Sequence, residues 1–69
     1  MKISARNALK GKIVDIKKGA VMAQVTVEIA GGARVMSAIF VESVDDLGLK
    51  AGDEVFAVVK STDVMIAKA

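Results

Sequence analysis

The chain contains no cysteine, histidine, proline, tryptophan or tyrosine, and its only aromatic residues are Phe40 and Phe56. Without cysteine there is no disulfide framework and no thiolate metal site. Without histidine, the commonest zinc ligand and the commonest general base are both missing. The carboxylates stand singly or beside predicted turns, so they form neither an acid pair nor a cluster of cation ligands. Neither an enzyme nor a bare metal-cation site is therefore expected.

The shortage of aromatic residues also bears on two kinds of ligand. Proteins that bind single-stranded nucleic acid stack bases on aromatic side chains in a basic groove. Phe40 and Phe56 both lie in apolar runs, where core or interface packing is the expected role, and the net charge is only +2. An organic cofactor with a flat ring would need the same stacking partners. Nucleic acid and organic cofactors are therefore not the expected ligands.

The N-terminus and the length of the chain set further expectations. The opening MKISARNALKGK is polar and lacks the apolar stretch of a signal peptide. The apolar runs are too short to cross a membrane, so we expect a cytoplasmic protein without a membrane partner. Residues 1–69 are predicted to form a single domain, whose own core gives only marginal stability at this size. Since disulfides and structural metals are excluded, oligomerisation is the remaining means of stabilisation.

Apolar and polar residues alternate along most of the chain, which predicts β-strands. Residues 21–29 alternate with β-branched enrichment, as in a half-buried strand. Gly31-Gly32 indicates a tight turn and RVMSAIFV follows it, so residues 20–41 are predicted to form a hairpin. Strands are also predicted at KGKIVDIKKG (10–19), EVFAVVK (54–60) and DVMIA (63–67).

Only ESVDDLGL, residues 42–49, is predicted to be helical. Its acidic residues suit a helix N-terminal turn, and Gly48 suits the left-handed position that ends a helix. Five short strands with a helix between the third and the fourth is the order of an OB-type barrel. The expected fold is therefore all-β: a small five-stranded OB-like Greek-key barrel with one short helix between strands 3 and 4.

Two predicted strands are apolar on both faces. The run from Val55 to Val59 contains no polar residue, and Met36, Ala38 and Phe40 make the second face of their strand apolar. A small antiparallel barrel in water should carry polar residues on its outer face. A two-turn helix is too short to cover both strands, so we expect a homo-oligomer in which subunits cover one another.

Hydrogen-bond donors without matching acceptors are concentrated in two short segments, SARN (residues 4–7) and KST (residues 60–62). Both segments lie at strand ends beside polar breaks, where side-chain and main-chain donors can converge on an anion. They are far apart in sequence and can meet only through the fold or across a subunit boundary. Ordinary turn and surface roles for these residues remain the alternative.

Four segments together resemble the molbindins, the Mop domains of TOBE type. ISARNALKGKIV, EIAGGARV, ESVDDLGLKAGDEV and VVKSTDVMIA match in order and spacing over essentially the whole chain. The resemblance implies that the protein binds molybdate, and usually tungstate, for intracellular molybdenum storage or homeostasis. It also implies a hexamer built as a trimer of dimers, with sites between subunits.

The resemblance implies a particular set of oxyanion-binding residues. One segment would contribute Ser4, Arg6 and Asn7 with the main chain near Ala5, and a segment of a neighbouring subunit would contribute Lys60 and Ser61. The turn Lys17 to Ala20 is a candidate for a secondary site through main-chain donors. Val41 departs from the family, because related domains often carry threonine or serine where the helix begins.

Three hypotheses for function follow from these observations. The first is an oxyanion-binding protein for molybdate or tungstate. The second is a structural interaction module of OB type, in which the donor-rich segments only tie subunits together. The third, less favoured, is a single-stranded nucleic-acid binder.

Overall fold

The computed structural model describes residues 1–69 and contains one antiparallel sheet, one helix and two short 3₁₀ turns. The strands are β1 (Asn7–Lys18), β2 (Met22–Ile29), β3 (Arg34–Phe40) and β4 (Glu54–Val59), and the helix is α1 (Val41–Leu47). The order in the sheet is β3-β2-β1-β4. The long strand β1 is central, because its first half pairs with β4 and its second half pairs with β2.

The predicted hairpin is confirmed by the pairing of β2 with β3. Val25 lies opposite Ser37, and Glu28 lies opposite Arg34 next to the turn. The Arg34 guanidinium donates to the Glu28 carboxylate, with 3.3 Å between Nε and Oε2. Gly31 and Gly32 close the turn with φ of +87° each, a conformation that residues with a Cβ adopt only at a cost.

The core is small and lies on the concave face of the sheet, beneath α1. Five residues are buried: Ile13, Ala23, Val25, Val27 and Val44. The register of β1 against β2 shifts between Ile13 and Asp15, and such a bulge increases the bend and twist of a strand. The sheet is accordingly curled into a half-barrel around these five side chains.

The helix is confirmed, and its two ends are held by backbone groups. Gly48 adopts a left-handed conformation with φ of +62°, and its N–H donates to the Asp45 carbonyl. At the other end, Val41 is the first helical residue rather than the N-cap. Its N–H donates to the carbonyl of Val21 at 2.8 Å, so the backbone just before β2 satisfies this donor without a capping hydroxyl.

The predicted fifth strand, DVMIA, is not formed in this chain. Ser61–Asp63 is a 3₁₀ turn, and residues 64–69 carry no secondary structure. Met65 and Ile66 are 91% and 89% exposed. The alternation of apolar and polar residues in this segment is typical of a strand. A strand also needs an edge to pair with, and this segment reaches none within its own chain. All-β structure with one helix after β3 is confirmed, whereas this chain alone forms an open four-stranded sheet.

Gly11 is the position where β1 passes closest to its neighbours. It pairs with Ile29 of β2 on one side and with Val55 of β4 on the other. A Cβ added here would lie 2.6 Å from the Glu28 carbonyl oxygen and 2.7 Å from Val27 Cγ1. The two neighbours are a backbone atom and a core side chain, so neither can move aside freely.

We expect Gly11→Ala to lower the free energy of unfolding by about 2–3 kcal/mol, because overpacking a tight site costs roughly that much. Urea unfolding at fixed protein concentration measures the change. Lys12→Ala, on the exposed side of the same strand, is the control and should shift stability by less than about 0.5 kcal/mol. An unchanged urea midpoint for Gly11→Ala would contradict the close approach.

Candidate oxyanion site

The two donor-rich segments predicted from the sequence meet at one end of the β1–β4 ladder. Asn7, the first residue of β1, lies opposite Val59, the last residue of β4. The Asn7 side-chain amide donates to the Val59 carbonyl, with 3.3 Å between Nδ2 and O. Arg6 directly precedes Asn7 and Lys60 directly follows Val59, so the two cations flank this last pair of the ladder. SARN and KST are therefore neighbours within one chain, and the sharing of the site between subunits that the resemblance implied stays a prediction.

The side chains of this end are accessible to a ligand. Ser4, Arg6, Lys60 and Ser61 are exposed, while Ala5 and Asn7 are half-buried. The structure contains three ion pairs, which involve Lys10, Lys18 and Arg34. Arg6 and Lys60 take part in none of them, so both cations are available to bind an anion.

The backbone of the 3₁₀ turn also presents donors. Its carbonyls are engaged locally, since the Asp63 N–H donates to Lys60 O at 2.9 Å and the Val64 N–H donates to Ser61 O at 3.4 Å. The first N–H groups of such a turn have no earlier carbonyl within the turn to bond with. Thr62, which lies within this turn, is a donor that the family resemblance did not assign.

The register also has an electrostatic consequence. Neighbouring like charges at the end of a strand pair are destabilising, and Arg6 and Lys60 are the residues that flank the last pair. An anion bound between them would remove this repulsion. Asp63 is the only carboxylate in or directly after the two segments, so the site is rich in donors and poor in acceptors.

The turn Lys17 to Ala20, a candidate for a secondary site, lies at the opposite end of β1. The Gly19 N–H donates to the Met22 carbonyl at 2.7 Å, and Lys18 Nζ lies 3.0 Å from Asp45 Oδ1. One of its main-chain donors and one of its cations are therefore already engaged. A secondary site at this turn stays a prediction.

Phe40 and Phe56 do not belong to the core. They are 59% and 49% exposed on the outer face of the sheet. Met22 and Met36 of the β2–β3 pair and Val58 of β4 are also among the exposed apolar residues of this face. Of the two expected roles, core packing is wrong, and interface packing stays a prediction.

Two further findings concern ligands and membranes. The structure has no group of three or more acidic residues that could hold a metal ion. No helix in it has the length and hydropathy needed to span a bilayer.

Comparison with known proteins shows the family to which this chain belongs. The sequence profile of the TOBE domain matches residues 3–66, which is nearly the whole chain. The chain belongs to the TOBE domain family. This confirms the family that the four sequence segments indicated.

Relatives of this TOBE domain extend the comparison. Molybdenum-pterin-binding protein 3 of Clostridium pasteurianum is 62% identical over 66 residues, which cover 96% of this chain and 97% of the relative. The structure of MopII from the same organism, in an apo form, superposes with a TM-score of 0.93 at 60% identity and covers 97% of this chain and all of MopII. The cytoplasmic molybdate-binding protein ModG, with molybdate bound, gives a TM-score of 0.85 at 43% identity, with 88% of this chain matching 43% of ModG.

We expect Arg6→Gln to leave the anion-free TOBE domain as stable as the parent, or to stabilise it by up to about 0.5 kcal/mol, since the substitution removes a like-charge neighbour of Lys60. Thermal unfolding at low ionic strength in a buffer without multivalent anions measures this. Arg34→Gln is the control and should destabilise slightly, because Arg34 is paired with Glu28. A loss of stability in Arg6→Gln larger than in the control would show that Arg6 has an attractive partner.

Proposed function

We propose that this TOBE domain binds molybdate, a tetrahedral oxyanion, at the end of the β1–β4 ladder where SARN and KST meet. The observation that carries this proposal is the pairing of Asn7 with Val59. This pairing brings two segments from opposite ends of the sequence together. Arg6 and Lys60 in these segments have no carboxylate partners. The binding residues of the proposed site are Ser4, Ala5 through its main chain, Arg6, Asn7, Lys60 and Ser61.

The chemistry of the ligand fits the donor set. Molybdate at neutral pH is a dianion with no proton to donate, so a suitable site needs donors alone. Hydrogen bonds to charged groups contribute roughly 1.5–3 kcal/mol each. Several of them acting together support micromolar binding, which requires about 8 kcal/mol. Sulfate is also a bare tetrahedral dianion, so discrimination against it depends on the size of the site.

The relatives support the same ligand. Proteins at 62% and 43% identity are described as molybdenum-pterin-binding and molybdate-binding. We extend the molybdate part of these descriptions to this chain, with tungstate as a second ligand of the same geometry. A pterin ring would need stacking partners, which the proposed site does not contain. The proposed role is binding for molybdenum storage in the cytoplasm, as a carrier and not as an enzyme.

Assembly is the second part of the proposal. The edges of β3 and β4 are unpaired, and a groove of about 290 Å³ between them is lined by Val35, Ile39, Val55 and other apolar residues, with Ser37 the only polar one. The exposed residues 64–69 would extend roughly 20 Å as a strand, close to the length of β3. We propose that this segment adds the fifth strand to a neighbouring subunit, and that the apolar outer face joins such dimers into a hexamer.

Titration calorimetry of the anion-free protein with molybdate, in buffer with excess sulfate, tests the ligand. The parent should bind at a fixed ratio per chain. Arg6→Ala and Lys60→Ala should each weaken binding by about 10- to 100-fold, since each removes a charged donor worth roughly 1.5–3 kcal/mol.

Lys12→Ala is the matched control for this titration, because Lys12 is equally exposed but lies beyond the reach of the proposed site on β1. It should bind as the parent does. Normal binding by an Arg6→Ala/Lys60→Ala double variant would refute the site. Dissociation of that variant into monomers without any effect of anions would favour the structural interaction module.

Ile66→Asp tests the fifth strand. Placing a carboxylate in an apolar groove without a partner is unfavourable by several kcal/mol, so the variant should lose the oligomer. Native mass spectrometry at micromolar protein gives the subunit count. Ala67→Asp is the control, because residue 67 lies on the opposite face of the proposed strand from Ile66; it adds the same charge and should keep the parent's subunit count. An Ile66→Asp variant with the parent's subunit count would exclude this role for the C-terminal segment.

A further inference from the structure

The side chain of Asn7 makes a contact that a ligand role alone does not explain. Its amide nitrogen donates to the main-chain carbonyl of Val59, a residue 52 positions away in sequence. Of the five hydrogen bonds that side chains make in this structure, it is the only one that joins the two segments of the proposed site.

The segment after Val59 has little else to fix its position. Residues 60–69 are all exposed. The main-chain bonds of the 3₁₀ turn are local, from Asp63 to Lys60 and from Val64 to Ser61. Such bonds shape the turn but do not attach it to β1. Its position relative to SARN depends on the last ladder pair and on the amide of Asn7.

We propose that Asn7 is a positioning residue, which holds Lys60 and Ser61 in place for the anion through its bond to Val59. The expected effect of Asn7 on molybdate affinity rests on the proposed function, whereas its expected effect on the anion-free chain does not. In this role Asn7 differs from Arg6 and Lys60, whose charged donors face no protein acceptor.

The two roles of Asn7 differ in how its loss combines with the loss of Lys60. If Asn7 acts by positioning the segment that carries Lys60, then removing both side chains costs less than the two single losses predict, because contacting or linked residues are not additive. A residue that binds the anion independently gives additive effects. General destabilisation also leaves the two effects on affinity additive.

The test is a double-mutant cycle of Asn7→Ala and Lys60→Ala, with molybdate affinity measured by calorimetry. Asn7→Ala alone should weaken binding about tenfold, the upper range for a neutral hydrogen bond. In the Lys60→Ala background the same change should weaken binding by less than about twofold. Gln24→Ala is the matched control, since Gln24 is the other side-chain amide of the sequence and lies on β2, away from the site.

Amide hydrogen exchange of the anion-free protein provides the second readout. Asn7→Ala should speed exchange of the bonded N–H groups of Asp63 and Val64 at least severalfold while leaving the centre of β2 unchanged. Additive effects on affinity, or unchanged exchange at Asp63 and Val64, would refute positioning. If the parent itself fails to bind molybdate, the proposed function falls, and the exchange measurement alone then decides whether Asn7 holds the segment.

Discussion

The antiparallel pairing of β1 with β4 is the contact on which the rest of this structure depends. It is a long-range pairing, from Asn7 opposite Val59 to Lys12 opposite Glu54, and it brings the two ends of the chain together. At one end of the ladder the two donor-rich segments meet. At the other end Ile13 exchanges hydrogen bonds with the turn before β4, accepting from Gly52 and donating to Asp53. The same pairing thus holds the turn before β4 against Ile13 of the core and brings the two segments of the proposed site together.

Burial is distributed unusually for a chain of this length. Five of 69 residues are buried, and fourteen large apolar side chains are exposed. Small domains bury a low fraction of their surface in any case, but here many of the exposed apolar residues lie on the outer face, as Met22, Met36 and Phe40 do, or in the C-terminal segment. The polar groups of the site lie elsewhere, at the ladder end. The surface is therefore divided into an apolar part suited to subunit contact and a cationic part suited to a small anion.

Local features of this fold were predictable from sequence. The hairpin follows from alternation on both sides of Gly31-Gly32, and the end of α1 follows from Gly48, because each depends on residues within a few positions. The strand predicted at 63–67 is not formed within this chain, since alternation shows which side chains suit a strand but not whether an edge is available. The residues of the site were named from a family resemblance. SARN and KST are far apart in the sequence but lie at the same end of the β1–β4 ladder. This placement depends on the register of β1 against β4, which no local pattern encodes.

The position of two cations at the end of a ladder has a consequence for selectivity in a cell. Arg6 and Lys60 flank the last pair of the ladder without carboxylate partners, and both side chains are open to solvent. Such a pair attracts the small anions that surround it, so a ligand binds by displacing another anion. The occupancy of the proposed site is then set by the ratio of molybdate to competing oxyanions. A protein of this design responds to relative abundance, and its response to a given molybdate concentration shifts with the ionic composition around it.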